Sequence, residues 1–132
     1  MSHFSTIKTK IKSGEQLVEA LLDLGYDPQV QENVMVVSDA EHAKGHPDVT
    51  VDIITKEGDI GFRWNETTGQ YELVTDLQTW DKPVPVERFL SQLSQQYALR
   101  VVTLKAREEG YEIEEQKVND EGTIELLVSR WS

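Results

Sequence analysis

The side chains best suited to metal or acid–base chemistry are few. His42 and His46 stand four residues apart, a spacing that on a helix would bring two imidazoles onto one face, where they could share a metal ion; His3 is the only other histidine. Gly45 and Pro47 break any helix there, so the spacing loses its geometric meaning and the stretch reads as a solvated loop. There is no cysteine, which excludes disulfides, thiolate metal sites and thiol nucleophiles. The eight glycines are scattered at turns rather than gathered into a phosphate-cradling loop, and no serine sits in a nucleophile-elbow context. Hydrolase and nucleotide-binding chemistry therefore receive little support, and no metal, cofactor or catalytic residue is expected.

Charge and aromatic groups are more suggestive. Towards the end of the chain Glu108, Glu109, Glu112, Glu114, Glu115, Asp120, Glu121 and Glu125 face only Lys117. The plain reading is a solvated hairpin face that blocks edge-to-edge pairing. The sharper one is a docking surface for a basic partner, centred on Glu112, Glu114 and Glu115, because a concentrated field speeds association and rejects acidic surfaces. Paired catalytic carboxylates would need an apolar pocket to split their pKa values, and a solvated hairpin face does not offer one. Lys8, Lys10 and Lys12 form the one cationic stripe, with no acid before Glu15. They read as strand-edge gatekeepers or as a contact for an acidic partner. Of the three tryptophans, Trp64 is in phase with Phe62 and reads as core. Trp80 lies in a Pro-rich connection and reads as core or as a surface anchor.

These groups must be positioned by local elements. Residues 4–11 alternate, with Ile7, Thr9 and Ile11 on one side, and predict a strand. Ser13 and Gln16 have capping-box spacing ahead of the Leu17, Val18, Leu21, Leu22 stripe, and Gly25 supplies a stop, so a helix is expected over 14–24. Val30–Val37 reads as a second strand and 38–48 as a loop. Val49, Val51 and Ile53, then Ile60, Phe62 and Trp64, then Tyr71, Leu73, Thr75 and Leu77 alternate around turns at Glu57-Gly58 and Thr67-Thr68-Gly69, predicting an antiparallel meander. Pro85 is placed to open a helix whose apolar positions Leu90, Leu93, Tyr97, Val101 and Leu104 recur at helical steps. The β-branched run in 99–104 offers a strand as the rival. The absence of Gly or Pro from Val86 to Glu109 favours one long helix. Tyr111–Val118 and Thr123–Trp131 form a closing hairpin. The helix, Gly-Tyr, strand succession occurs twice, at Gly25-Tyr26 and Gly110-Tyr111, which chance explains as well as duplication does.

At 132 residues and a net charge of −11, the chain is expected to be one domain, 1–132, that repels phosphate backbones and anionic lipid. No apolar run approaches a membrane span, and the start lacks the pattern of a signal or transit peptide. The core is expected from Ile7, Ile11, Leu17, Leu21, Val51, Ile53, Phe62, Leu73, Leu90, Leu93, Ile124, Leu126 and Val128.

Several word-length blocks carry a family resemblance: Met1-Ser2-His3-Phe4-Ser5-Thr6-Ile7-Lys8-Thr9, Asp59-Ile60-Gly61-Phe62-Arg63-Trp64-Asn65, and Gln96-Tyr97-Ala98 with Gly110-Tyr111, Asp120-Glu121-Gly122-Thr123-Ile124 and Arg130-Trp131. Over nearly its whole length the chain resembles the hypothetical chloroplast reading frame thirty-five family of cyanobacteria and red-algal-type plastids. The resemblance transfers no catalytic residue or cofactor. It implies a cyanobacterial cytosol or plastid stroma and a role compatible with oxygenic photosynthesis. The expected fold is α+β, a mainly antiparallel sheet with two helices packed on one face, in the order β-α-β-β-β-β-α-β-β. The expected function is that of a non-enzymatic accessory or regulatory protein that binds another protein, with contacts among Lys8, Lys10, Lys12, Trp80, Glu112, Glu114 and Glu115. The rivals are an enzyme or small-ligand binder with a site built from scattered polar residues, and a weak nucleic-acid binder using the N-terminal lysines.

Overall fold

The computed structural model describes residues 4–35, 50–78, 80–119 and 123–130. His3, His42, His46, Asp120, Glu121, Trp131 and the expected loop 38–48 lie outside them. The elements follow the expected order: β1 (Phe4–Lys8), α1 (Gly14–Asp23), β2 (Pro28–Met35), β3 (Thr50–Thr55), β4 (Ile60–Asn65), β5 (Gln70–Asp76), α2 (Val86–Glu108), β6 (Tyr111–Val118) and β7 (Ile124–Arg130). The first five strands form one antiparallel sheet in the order β1-β5-β4-β3-β2, and β6-β7 form a separate two-stranded sheet.

The alternation of the meander sets which residues meet the helices. Ile53 pairs with Phe62, Phe62 with Leu73, and Leu73 with Ile7 across the strands. This row joins Leu17, Ala20 and Leu21 of α1 and Val86, Phe89 and Leu93 of α2 in the main core. Both helices therefore cover the same face. A smaller cluster of Val51, Ile54 and Val74, with Phe4 against it, lies outside that core.

Two strand boundaries differ from expectation for identifiable reasons. The first strand ends at Lys8 rather than at residue 11, because the Thr9 hydroxyl takes over the Tyr71 carbonyl (2.6 Å) and the Ile11 amide then donates to Thr9 Oγ1. Strand β2 starts at Pro28, two residues early; proline, which lacks an N–H, is tolerated as the first residue of an edge strand. Residues 99–104 are helical, as the absence of a breaker indicated.

Helix α1 follows Ser13, whose backbone is extended, and stops before Gly25, which turns left-handed with φ of 89°. The Ser13 hydroxyl bonds the Gln16 side chain rather than a helix amide, so the predicted pair meets without closing a capping box. The amides of Lys12 and Ser13 instead donate to Tyr97 Oη, both at 3.0 Å, so α2 holds the approach to α1.

Arg100 of α2 completes the join between the helices. Its guanidinium donates to Asp23 at 2.5 and 2.7 Å, and Gln96 adds a bond at 2.9 Å. The hydrogen bond from Arg100 holds the Asp23 carboxyl below its usual range despite the opposing effect of burial. Because the folded value is depressed, this tie stabilises the fold fully above the unfolded carboxylate pKa of about 4 and loses its effect as pH falls through the folded value. Asp23→Asn should therefore cost on the order of 1 kcal/mol at pH 7, discounted for the exposed partner, and should reduce the acid-side loss of stability in denaturant titrations run from pH 7 to pH 2.

Candidate functional site

The closing hairpin stands off the main sheet. Among the described elements it rests on α2, through contacts to both β6 and β7. A two-stranded sheet alone is marginal in water, so its position depends on that helix. Ile113 faces Val128, and Leu126 faces Gln116 across the ladder. Ile124 and Leu126 meet Leu90, Ser94, Ala98 and Val102 of α2 around an open hollow of about 700 Å³.

Glu112, Glu114, Glu115 and Glu125 are all exposed. The register shifts between Ile113 and Glu115, so Glu114 is the extra residue of a bulge that strengthens the local twist. Among the described residues the one basic contact to these four is Lys117 to Glu125 at 4.0 Å, with both side chains largely in water. Leu127 is 54% exposed on the same hairpin, and Arg130 lies 5.9 Å from the centre of the Tyr111 ring. The result is a projecting anionic blade with an apolar residue among its charges. Ile124, Leu126 and Val128 are expected as core, but Ile124 and Leu126 are only half-buried against α2 and Val128 is 39% exposed, because a two-stranded sheet resting on one helix has too little cover to bury its apolar face fully.

Lys8, Lys10 and Lys12 are also exposed, although they do not form one strand face. Lys8 ends β1 opposite Glu72, whereas Lys10 borders a hollow against Tyr97, Ala98, Val101 and Val102 of α2. No ion pair joins these lysines to the hairpin acids among the described residues. Trp80 is half-buried: its ring packs 5.5 Å from Phe89 and its indole N–H donates to the Val84 carbonyl at 2.7 Å. It fastens the connection between β5 and α2. Trp64, expected as core, is 38% exposed and meets Tyr71 edge-on at 5.0 Å, because it lies near the end of β4 where helix cover gives out.

A polar cluster that spacing did not indicate sits in that connection. The Lys82 ammonium contacts Glu57, Asp59 at 2.8 Å and Asp81 at 3.9 Å, beside a hollow of about 370 Å³ bounded by Tyr26, Thr55 and Pro83. Burial opposes charge on Lys82, but its hydrogen bonds to Asp59 and Glu57 outweigh that and raise its pKa. Burial likewise raises the Tyr26 phenol. A raised lysine is a poor nucleophile, and its carboxylate neighbours are already neutralised, so the cluster works as a clasp. Among the described residues no three His, Asp or Glu side chains are grouped to hold a metal, and no helix is long and apolar enough to cross a membrane.

Fold and surface thus define a two-layer α+β domain with an acidic hairpin appended to its long helix. A family model described as "Protein of unknown function (DUF1257)" matches residues 20–127, and the chain belongs to that family. It is 37% identical over 135 residues to the "Uncharacterized protein ycf35" of Pyropia yezoensis, covering 100% of this chain and 99% of that one. Proteins of the same name from Guillardia theta and Cyanophora paradoxa are each 36% identical, covering 99% of this chain and 98% of theirs. No solved structure matches the chain.

Proposed function

We propose that this protein is a non-enzymatic docking protein that binds a basic protein partner through its acidic hairpin. The observation that carries the reading is the projection of Glu112, Glu114 and Glu115 from a hairpin separate from the main sheet, without a basic side chain against them among the described residues. Folding does not require such a concentration of charge, and mutual repulsion opposes it. Relatives named for a chloroplast reading frame favour a cyanobacterial cytosol or plastid stroma as the setting; the role we infer there is in the assembly or regulation of photosynthetic machinery.

The test uses a partner captured from a cyanobacterial lysate at low salt and then purified. The triple variant Glu112→Gln, Glu114→Gln, Glu115→Gln should associate about tenfold more slowly at low ionic strength, with a flatter salt dependence. Its melting temperature should stay equal or rise slightly, since exposed charges contribute little to folding and their repulsion is relieved. Equal association rates for wild type and variant across the salt series would remove the hairpin from the interface.

A further inference from the structure

We propose that the cleft between α1 and β3 receives a lysine side chain from a basic segment of the partner. The inference rests on the docking reading and adds a second point of attachment to it. The cleft holds about 530 Å³ and is lined on its apolar side by Val18, Val30 and Ile53, with Val30 69% exposed. Glu15, Asp52 and the Tyr71 ring supply the polar side. Among the described residues no cationic one lines it.

The unneutralised charge follows from where the neighbouring cation is held. Arg100 binds Asp23 at 2.5 Å and reaches Glu19, at the cleft's border, only at 3.6 Å. Neither Glu15 nor Asp52 has an ion-pair partner among the described residues. Asp52 accepts the Trp64 amide through Oδ2 at 2.8 Å, which orients the carboxylate without neutralising it. Gly14 lets Tyr71 come close: a Cβ there would lie 2.7 Å from Tyr71 Oη, so the hydroxyl sits against the start of α1.

This is the chemistry of a long aliphatic side chain with a cationic end. The four-carbon stem of lysine would lie along Val18, Val30 and Ile53 while its ammonium meets carboxylates and a hydroxyl from different directions. An acidic segment would add charge to uncompensated carboxylates, and a neutral one would leave them unpaired.

The probes are two capped tripeptides, Leu-Lys-Leu and its counterpart with norleucine in place of lysine, titrated into the full chain and followed by amide chemical shifts. The lysine peptide should shift Glu15, Val18, Asp52 and Ile53 and bind about tenfold more tightly than the norleucine peptide. Asp52→Asn, which keeps an acceptor for the Trp64 amide, and Glu15→Gln should together abolish that preference. The hairpin triple variant should leave it unchanged. Equal binding of the two peptides, shifts centred on the hairpin, or an undiminished preference in the double variant would overturn the proposal. Such a result would leave the association-rate test of the hairpin standing on its own outcome.

Discussion

Replacing Phe62 by alanine is expected to lower the unfolding free energy by about 3–5 kcal/mol, a large share of what a domain of this size has. The ring is fully buried, at 0% exposure, in the row between Ile53 and Leu73 on which both helices rest. Removing it takes apolar surface out of the core and leaves a void that residues from three strands and two helices would have to shift together to fill. Trp64, two residues on, has the same alternation phase but loses its helix cover. Trp64→Ala should therefore cost only about 1 kcal/mol, mainly its edge-on contact with Tyr71. Equilibrium denaturation of both variants checks the pair. Comparable losses would mean that helix cover extends over both positions.

That contrast shows what alternation can and cannot report. Period-2 spacing identified the strands and the face of Phe62, and the absence of breakers identified α2, because these are properties of neighbouring residues. Local spacing cannot say how far the helices extend over the sheet, which decides Trp64. In α2 the spacing predicts Leu90 and Leu93 as core. Leu93 is buried in a line with Val86 and Phe89, whereas Leu90 is half-buried and Leu104 is 43% exposed. A 23-residue helix longer than its contact with the sheet has no reason to keep one stripe throughout. The acidic hairpin was legible because its charges are close together in the chain. The cleft was not, because it gathers Glu15, Val30, Asp52 and Tyr71 from four elements, and only the sheet order and the Gly14–Tyr71 approach bring them together.

Lys82 was the most hidden of the structural residues, since Asp81-Lys82-Pro83 has no periodicity and its main partners lie more than twenty residues earlier. Its side chain is only 9% exposed, and the ammonium links the β5–α2 connection to the β3–β4 turn. Lys82→Met keeps most of the stem and removes the charge, which leaves the half-buried Asp59 without its ion-pair partner. We expect a loss of about 2–3 kcal/mol. Glu57 and Asp81 should add little to it, because both are largely in water. Adding Asp59→Asn to the Met variant should recover part of that loss by removing the unpaired charge, whereas a purely steric role for lysine would give no recovery. The pH dependence supplies a separate check. The pKa of Lys82 is raised in the folded state, so its stabilisation is complete below the unfolded lysine value of about 10.4 and disappears as pH rises through the folded value. Wild type should therefore lose stability more steeply than Lys82→Met above pH of about 10, and the two should approach each other there. Parallel curves through that range would show that the ammonium does not hold the clasp, and the half-buried Trp80 and the buried Phe89 would then be its principal fastening.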